Sequence, residues 1–95
     1  MSILFEPLSI NSLNLANRCV RSATWEGQAT DSGLVTAELI TTMTELADGG
    51  LGLIISGHAF VSPEGQAGPW QLGVHSDECL PGLQKMTDAV HARGG

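Results

Sequence analysis

Residues 8–15 read Leu-Ser-Ile-Asn-Ser-Leu-Asn-Leu, with apolar and polar positions alternating about a central Asn11-Ser12, a pattern that predicts a short β-hairpin. A first short strand is expected over 19–22 and a polar, glycine-containing loop over 28–33. The period then changes. Leu39, Ile40, Met43, Leu46 and Ala47 fall on one face of a helix that has Thr36 as its N-cap, Glu38 in its first turn and Gly49-Gly50 at its end. The run 51–56 is apolar on both faces, as a central parallel strand covered by helices should be. A loop over 62–69 follows, half of it glycine and proline. Ser76 is expected to cap a second helix, Asp77 and Glu78 suit its positive end, and Leu80, Leu83, Met86, Thr87 and Val90 make its buried stripe.

Hairpin, strand, helix, strand, long loop, helix is the order of an α/β barrel entered through a hairpin that caps its bottom. The chain has 95 residues. One small domain of that size buries roughly 65% of its unfolded surface, whereas a closed eight-fold barrel takes about 250 residues. The expectation is therefore the first two strand–helix units of a TIM (β/α)8 barrel with a capping hairpin, residues 1–95 being the N-terminal portion of a single, longer domain. Glycine pairs at 49–50 and 94–95 end the two units alike, which reflects shared geometry and does not establish duplication.

Composition narrows the partners. A 42% hydrophobic content with 15% charged residues describes a globular chain. The formal charge of −6, with only four Lys and Arg, argues against a nucleic-acid backbone or an anionic membrane and for a small molecule. Cys19 and Cys79 lack metal-ligand spacing and read as buried free thiols, and no metal site is expected. Ile3-Leu4-Phe5 is broken by Glu6-Pro7 and so does not read as a signal peptide, and no apolar run approaches the ~20 residues of a membrane span. These features point to the cytoplasm.

In repeats of this kind, binding and chemistry collect in the loops at the carboxyl ends of the strands. Here those loops begin at Ser22 and at Gly57. Several stretches together then resemble the old yellow enzyme family, the FMN-dependent NAD(P)H:flavin oxidoreductases. They are Leu4-Phe5-x-Pro7, Leu13-x-Leu15-x-Asn17-Arg18, Gly49-Gly50-Leu51-Gly52-Leu53-Ile54-Ile55, Val61-Ser62-Pro63-Glu64-Gly65-Gln66 and Ser76-Asp77-Glu78. Their order and spacing carry the likeness over nearly the whole chain. It implies a TIM barrel with FMN across the strand ends, and hydride transfer from NADH or NADPH to an activated alkene or similar acceptor.

By the resemblance, Ser22, Ala23 and Thr24 lie against the isoalloxazine, where backbone N–H groups stabilise charge developing on the ring. Gly57 and His58 match the second flavin contact, where a small residue is usual. His58 departs from that pattern and is either a backbone contact with its ring in the pocket or a histidine bonded to neighbouring loops. Trp25 stands where many relatives carry a small polar residue that tunes the flavin; it reads as a substrate-pocket wall or as packing under the loop, without the tuning role. Glu26 reads as a solvated loop carboxylate, with the pocket as its other option. Trp70 anchors the long loop or meets a partner, His75 is a loop histidine, His91 a surface one, and Asn17 and Arg18 serve structure.

The family's catalytic residues are expected beyond Gly95, so these residues alone are expected neither to hold FMN tightly nor to turn over. Two alternatives stay open. One is a larger enzyme similar to dienoyl-CoA reductase or trimethylamine dehydrogenase, with an added iron–sulfur cluster. The other is a non-enzymatic barrel fragment acting as a binding module. A homo-oligomer is compatible with each.

Overall fold

The computed structural model describes residues 2–95. Strands β1 (Leu8–Ile10) and β2 (Leu13–Leu15) form the expected antiparallel hairpin, with Ser9 opposite Asn14. Asn11 takes a φ of +52° in its turn, a left-handed conformation that asparagine tolerates better than most side chains. The Ser9 hydroxyl donates to Asn14 Oδ1 across the strands at 2.7 Å.

β3 (Val20–Arg21) and β4 (Leu53–Ile54) pair in parallel, Val20 with Leu53 and Arg21 with Ile54. Both are shorter than the runs 19–22 and 51–56, although the Gly52 and Leu53 N–H groups donate to the Cys19 carbonyl and the Ile55 N–H to that of Arg21. A parallel strand is defined by its neighbours, and among the described residues β4 has a neighbour on one side only. The expected central strand is accordingly half-buried, and the sheet is an open two-stranded α/β piece without barrel closure. Asn17 locks the start of the pair: its Nδ2 donates to the Gly50 carbonyl at 2.6 Å and its Oδ1 accepts from the Cys19 N–H at 2.9 Å.

α1 (Ala37–Asp48) begins where the sequence places it. The Thr36 hydroxyl accepts from the Leu39 N–H and donates to the Gln28 carbonyl, so one side chain caps the helix and anchors the preceding loop. Gly50, with φ +88°, supplies the left-handed residue that ends α1. α2 (Leu80–Ala92) is preceded by a turn of 3₁₀ helix at Asp77–Cys79. That turn changes two expectations. The Ser76 side chain makes no capping hydrogen bond, and the inward position at the helix entrance falls to Cys79, while Leu80 and Thr87 are exposed.

α1 and α2 pack side by side. Leu39 and Met43, each 1% exposed, join Met86, Ala29 and Leu72 in one core cluster, with Ile40, Leu46, Leu83 and Val90 packed around it. Cys19 and Cys79 are free thiols, Cys79 buried and Cys19 only half-buried. His75 stacks on Phe60 with ring centroids 4.7 Å apart, and His91 is exposed. No helix among the described residues is long and apolar enough to cross a membrane.

Candidate functional site

Because β3 and β4 are parallel and adjacent, the turns that follow them emerge at the same end of the sheet. Ser22, Ala23, Thr24 and Trp25 leave β3 exposed to solvent, and His58 is exposed after β4, while Gly57 beside them is buried. All six candidate residues thus share one end of the molecule. The Trp25 and His58 rings face each other with centroids 5.5 Å apart at 32°.

The first turn is internally braced through its carbonyls. The Thr24 hydroxyl donates to the Ser22 carbonyl at 3.0 Å, and Arg21 Nη2 donates to the Thr24 carbonyl at 3.3 Å. The N–H groups of Ser22, Ala23 and Thr24 have no acceptor among the described residues. A turn with two of its three carbonyls, those of Ser22 and Thr24, already engaged and its donors free can offer N–H groups to whatever lies over it.

Glu26 departs from its expectation as a solvated carboxylate. Its side chain is 8% exposed and pairs with Arg21, 14% exposed, at 2.8 Å. Its Oε2 also accepts from the Gly57 N–H at 2.8 Å. The chain alternates through the turn, Trp25 outward and Glu26 inward, and Gly27 at φ +64° reverses it under the indole. The only sequence signal for this pairing was one cation and one anion five positions apart, which carries little weight until the turn is folded.

The long loop reaches the same end. Trp25, His58, Ala67, Gly68, Pro69 and Trp70 line a shallow cavity of about 350 Å³. Trp70 holds a φ of +69°, costly for a bulky side chain. Its carbonyl accepts from the Ala29 N–H at 3.1 Å. Gln71, buried at 3% exposure, accepts from the Ala67 N–H at 2.6 Å and donates to the His58 carbonyl at 3.3 Å. Sequence reasoning passed over Gln71, since an amide in a loop rich in polar residues carries no burial signal. No cluster of three His, Cys, Asp or Glu suited to a metal occurs among the described residues.

The model of the NADH:flavin oxidoreductase / NADH oxidase family matches residues 3–95. The chain belongs to this family. As a member of the NADH:flavin oxidoreductases it is 41% identical over 91 residues to the 4,4'-dithiodibutanoate disulfide reductase of Rhodococcus erythropolis, covering 96% of this chain and 22% of that protein. It superposes on 2-naphthoyl-CoA reductase, in a complex with 2-naphthoyl-CoA, with TM-score 0.94 and 30% identity over 98% of this chain and 14% of that one. The old yellow enzyme homologue from Zymomonas mobilis gives TM-score 0.85 at 30% identity, over 99% of this chain and 26% of that one. The chain therefore spans about a quarter or less of the length of these relatives.

Proposed function

We propose that residues 1–95 are the N-terminal portion of a single FMN-binding TIM-barrel domain, in an oxidoreductase that moves hydride from NADH or NADPH to an activated alkene or comparable small-molecule acceptor. The observation that supports this reading above the others is the turn after β3. Its three residues Ser22, Ala23 and Thr24 are exposed, their N–H groups have no acceptor among the described residues, and the carbonyls of Ser22 and Thr24 are already engaged.

Those residues fit an isoalloxazine. Fixed backbone donors stabilise negative charge without reorganising, which is what a ring gaining electrons requires of its surroundings. FMN, when bound, supplies the two-electron chemistry that no side chain of this stretch can perform. The chain's own part is to bind and orient. Ser22 to Thr24 offer donors, Gly57 and His58 form the second contact, and Trp25 stands as a wall that excludes water. The Gly57 N–H is already given to Glu26, so the contribution of Gly57 is its lack of a side chain. The two free thiols are in keeping with a cytoplasmic protein.

The test is the visible absorption spectrum of the full-length protein together with its intact mass. A flavin band is expected, bleached by NADH or NADPH without oxygen and restored by an activated alkene. A protein that stays colourless after incubation with FMN overturns the reading. A second reading, a longer enzyme that also carries an iron–sulfur cluster, draws support only from the greater length of relatives of which this chain covers 14%. A greater mass with cluster absorbance beside the flavin band would select it.

A further inference from the structure

Beneath the exposed turn lies a charge pair to which the flavin reading gives no task. Arg21 Nη1 is 2.8 Å from Glu26 Oε2, and the side chains are 14% and 8% exposed. The same guanidinium donates to the Ile55 carbonyl at 2.8 Å and to the Thr24 carbonyl at 3.3 Å. Glu26 in turn accepts the Gly57 N–H at 2.8 Å. The pair therefore ties the turn after β3 to the turn after β4. A Cβ on residue 57 would stand 2.5 Å from Glu26 Oε1 and 2.7 Å from the Thr24 carbonyl oxygen, so glycine is what lets the carboxylate reach its partner.

Stability is a weak reason for such a pair. Burying two charges costs desolvation, and apolar residues of similar volume often hold two segments together as well or better. Position gives a stronger reason. The Thr24 carbonyl held by Arg21 belongs to the turn whose N–H groups point free, so the guanidinium is bonded directly to the proposed flavin contact. Charges in a poorly solvated site act further than in water, and the reduction potential of a flavin responds to charge near its ring.

We infer that Arg21 and Glu26 are positioning residues that act as a balanced pair: Arg21 fixes the flavin-facing turn, and Glu26 cancels the field of the guanidinium so that the potential of the bound flavin is not driven upward. The inference rests on the flavin reading above.

It is tested on the full-length flavoprotein by spectroelectrochemical titration of bound FMN. Glu26→Gln keeps the size of the side chain and an acceptor oxygen for the Gly57 N–H but leaves the guanidinium unbalanced. The midpoint potential is expected to rise, because positive charge favours the reduced, more negative ring. The double variant Arg21→Gln/Glu26→Gln removes both charges and returns the potential to that of wild type. Arg21→Lys keeps the balance and also stays there. An unmoved potential in Glu26→Gln, or equal shifts in all three variants, reduces the pair to a mechanical tie and overturns the inference.

Where Glu26→Gln sheds its flavin, the double variant decides. Retained FMN at the wild-type potential supports charge balance, and retained FMN at any other potential overturns it. Where the double variant also loses FMN, Arg21→Lys, which keeps both charges, decides by holding the wild-type potential or departing from it. A wild-type protein that takes up no flavin sinks the functional reading and this inference with it, a result distinct from flavin bound at an unaltered potential.

Discussion

Between α1 and α2, Leu39, Met43 and Met86 meet Ala29 and Leu72 in an apolar cluster. At the carboxyl end of the strands, Arg21, Glu26 and Gly57 are instead joined by hydrogen bonds of 2.8 Å, with Gln71 performing the same service for Ala67 and His58. The two regions tolerate change differently. An apolar cluster accepts exchanges that conserve volume, because dispersion and burial are not directional. A buried polar network needs every partner, since removing one leaves another desolvated and unpaired. The helical region supplies a rigid frame, and the strand-end region uses it to hold backbone donors in place.

The comparison is broken most severely by truncating the frame. Met43→Ala, at a position 1% exposed, is expected to cost about 2–5 kcal/mol in urea unfolding. Flavin binding at low denaturant should survive that loss if the two regions are as separate as their chemistry suggests. Gly57→Ala attacks the other region. Its Cβ meets Glu26 Oε1 at 2.5 Å and the Thr24 oxygen at 2.7 Å, so a loss of about 1–3 kcal/mol is expected. It should be accompanied by weaker FMN retention on gel filtration, and a variant that keeps wild-type affinity would remove Gly57 from the site.

Smaller changes sharpen the contrast. Thr36→Ala deletes the α1 cap and the bond to the Gln28 carbonyl, and is expected to cost about 1 kcal/mol by thermal or urea melting. Asp48→Asn removes the partner of Arg93 where both side chains are about half exposed. A change within about 0.5 kcal/mol is expected, small because solvent screens such pairs. Were this exposed pair to matter as much as the Thr36 cap, the division between buried and solvated polar contacts would fail.

Legibility followed the range of the interactions. The hairpin could be read from alternation plus Asn11, and α1 from its period, its Thr36 cap and its glycine end, because each signal acts within a few residues. α2 was read correctly in extent and wrongly in detail. The 3₁₀ turn at Asp77–Cys79 moved the inward position from Leu80 to Cys79 and left Ser76 without a capping bond. The strands were read too long, since their pairing depends on a neighbour that β4 has, among the described residues, on one side only.

The candidate site divides in the same way. That Ser22 to Trp25 and Gly57-His58 close the two strands is a local fact, visible from where the apolar runs stop. That Glu26, turned inward onto Arg21, also meets the Gly57 N–H, that Gln71 is buried, and that Trp70 takes a φ of +69° beside Trp25 and His58 depend on how separate segments meet.

By itself, then, the sequence determined which segments curl and which extend, which face of α1 is apolar, and where the loops that carry the site begin. Those outcomes follow from backbone periodicity and from caps a few residues away. Only the tertiary structure decided which charges would meet, which turn donors would be left free and which glycine had to remain bare. The pair of Arg21 and Glu26, only five residues apart, is completed by groups about thirty residues further on, the Ile55 carbonyl and the Gly57 N–H, and pairing energies at that range are set by burial and geometry that no local pattern encodes.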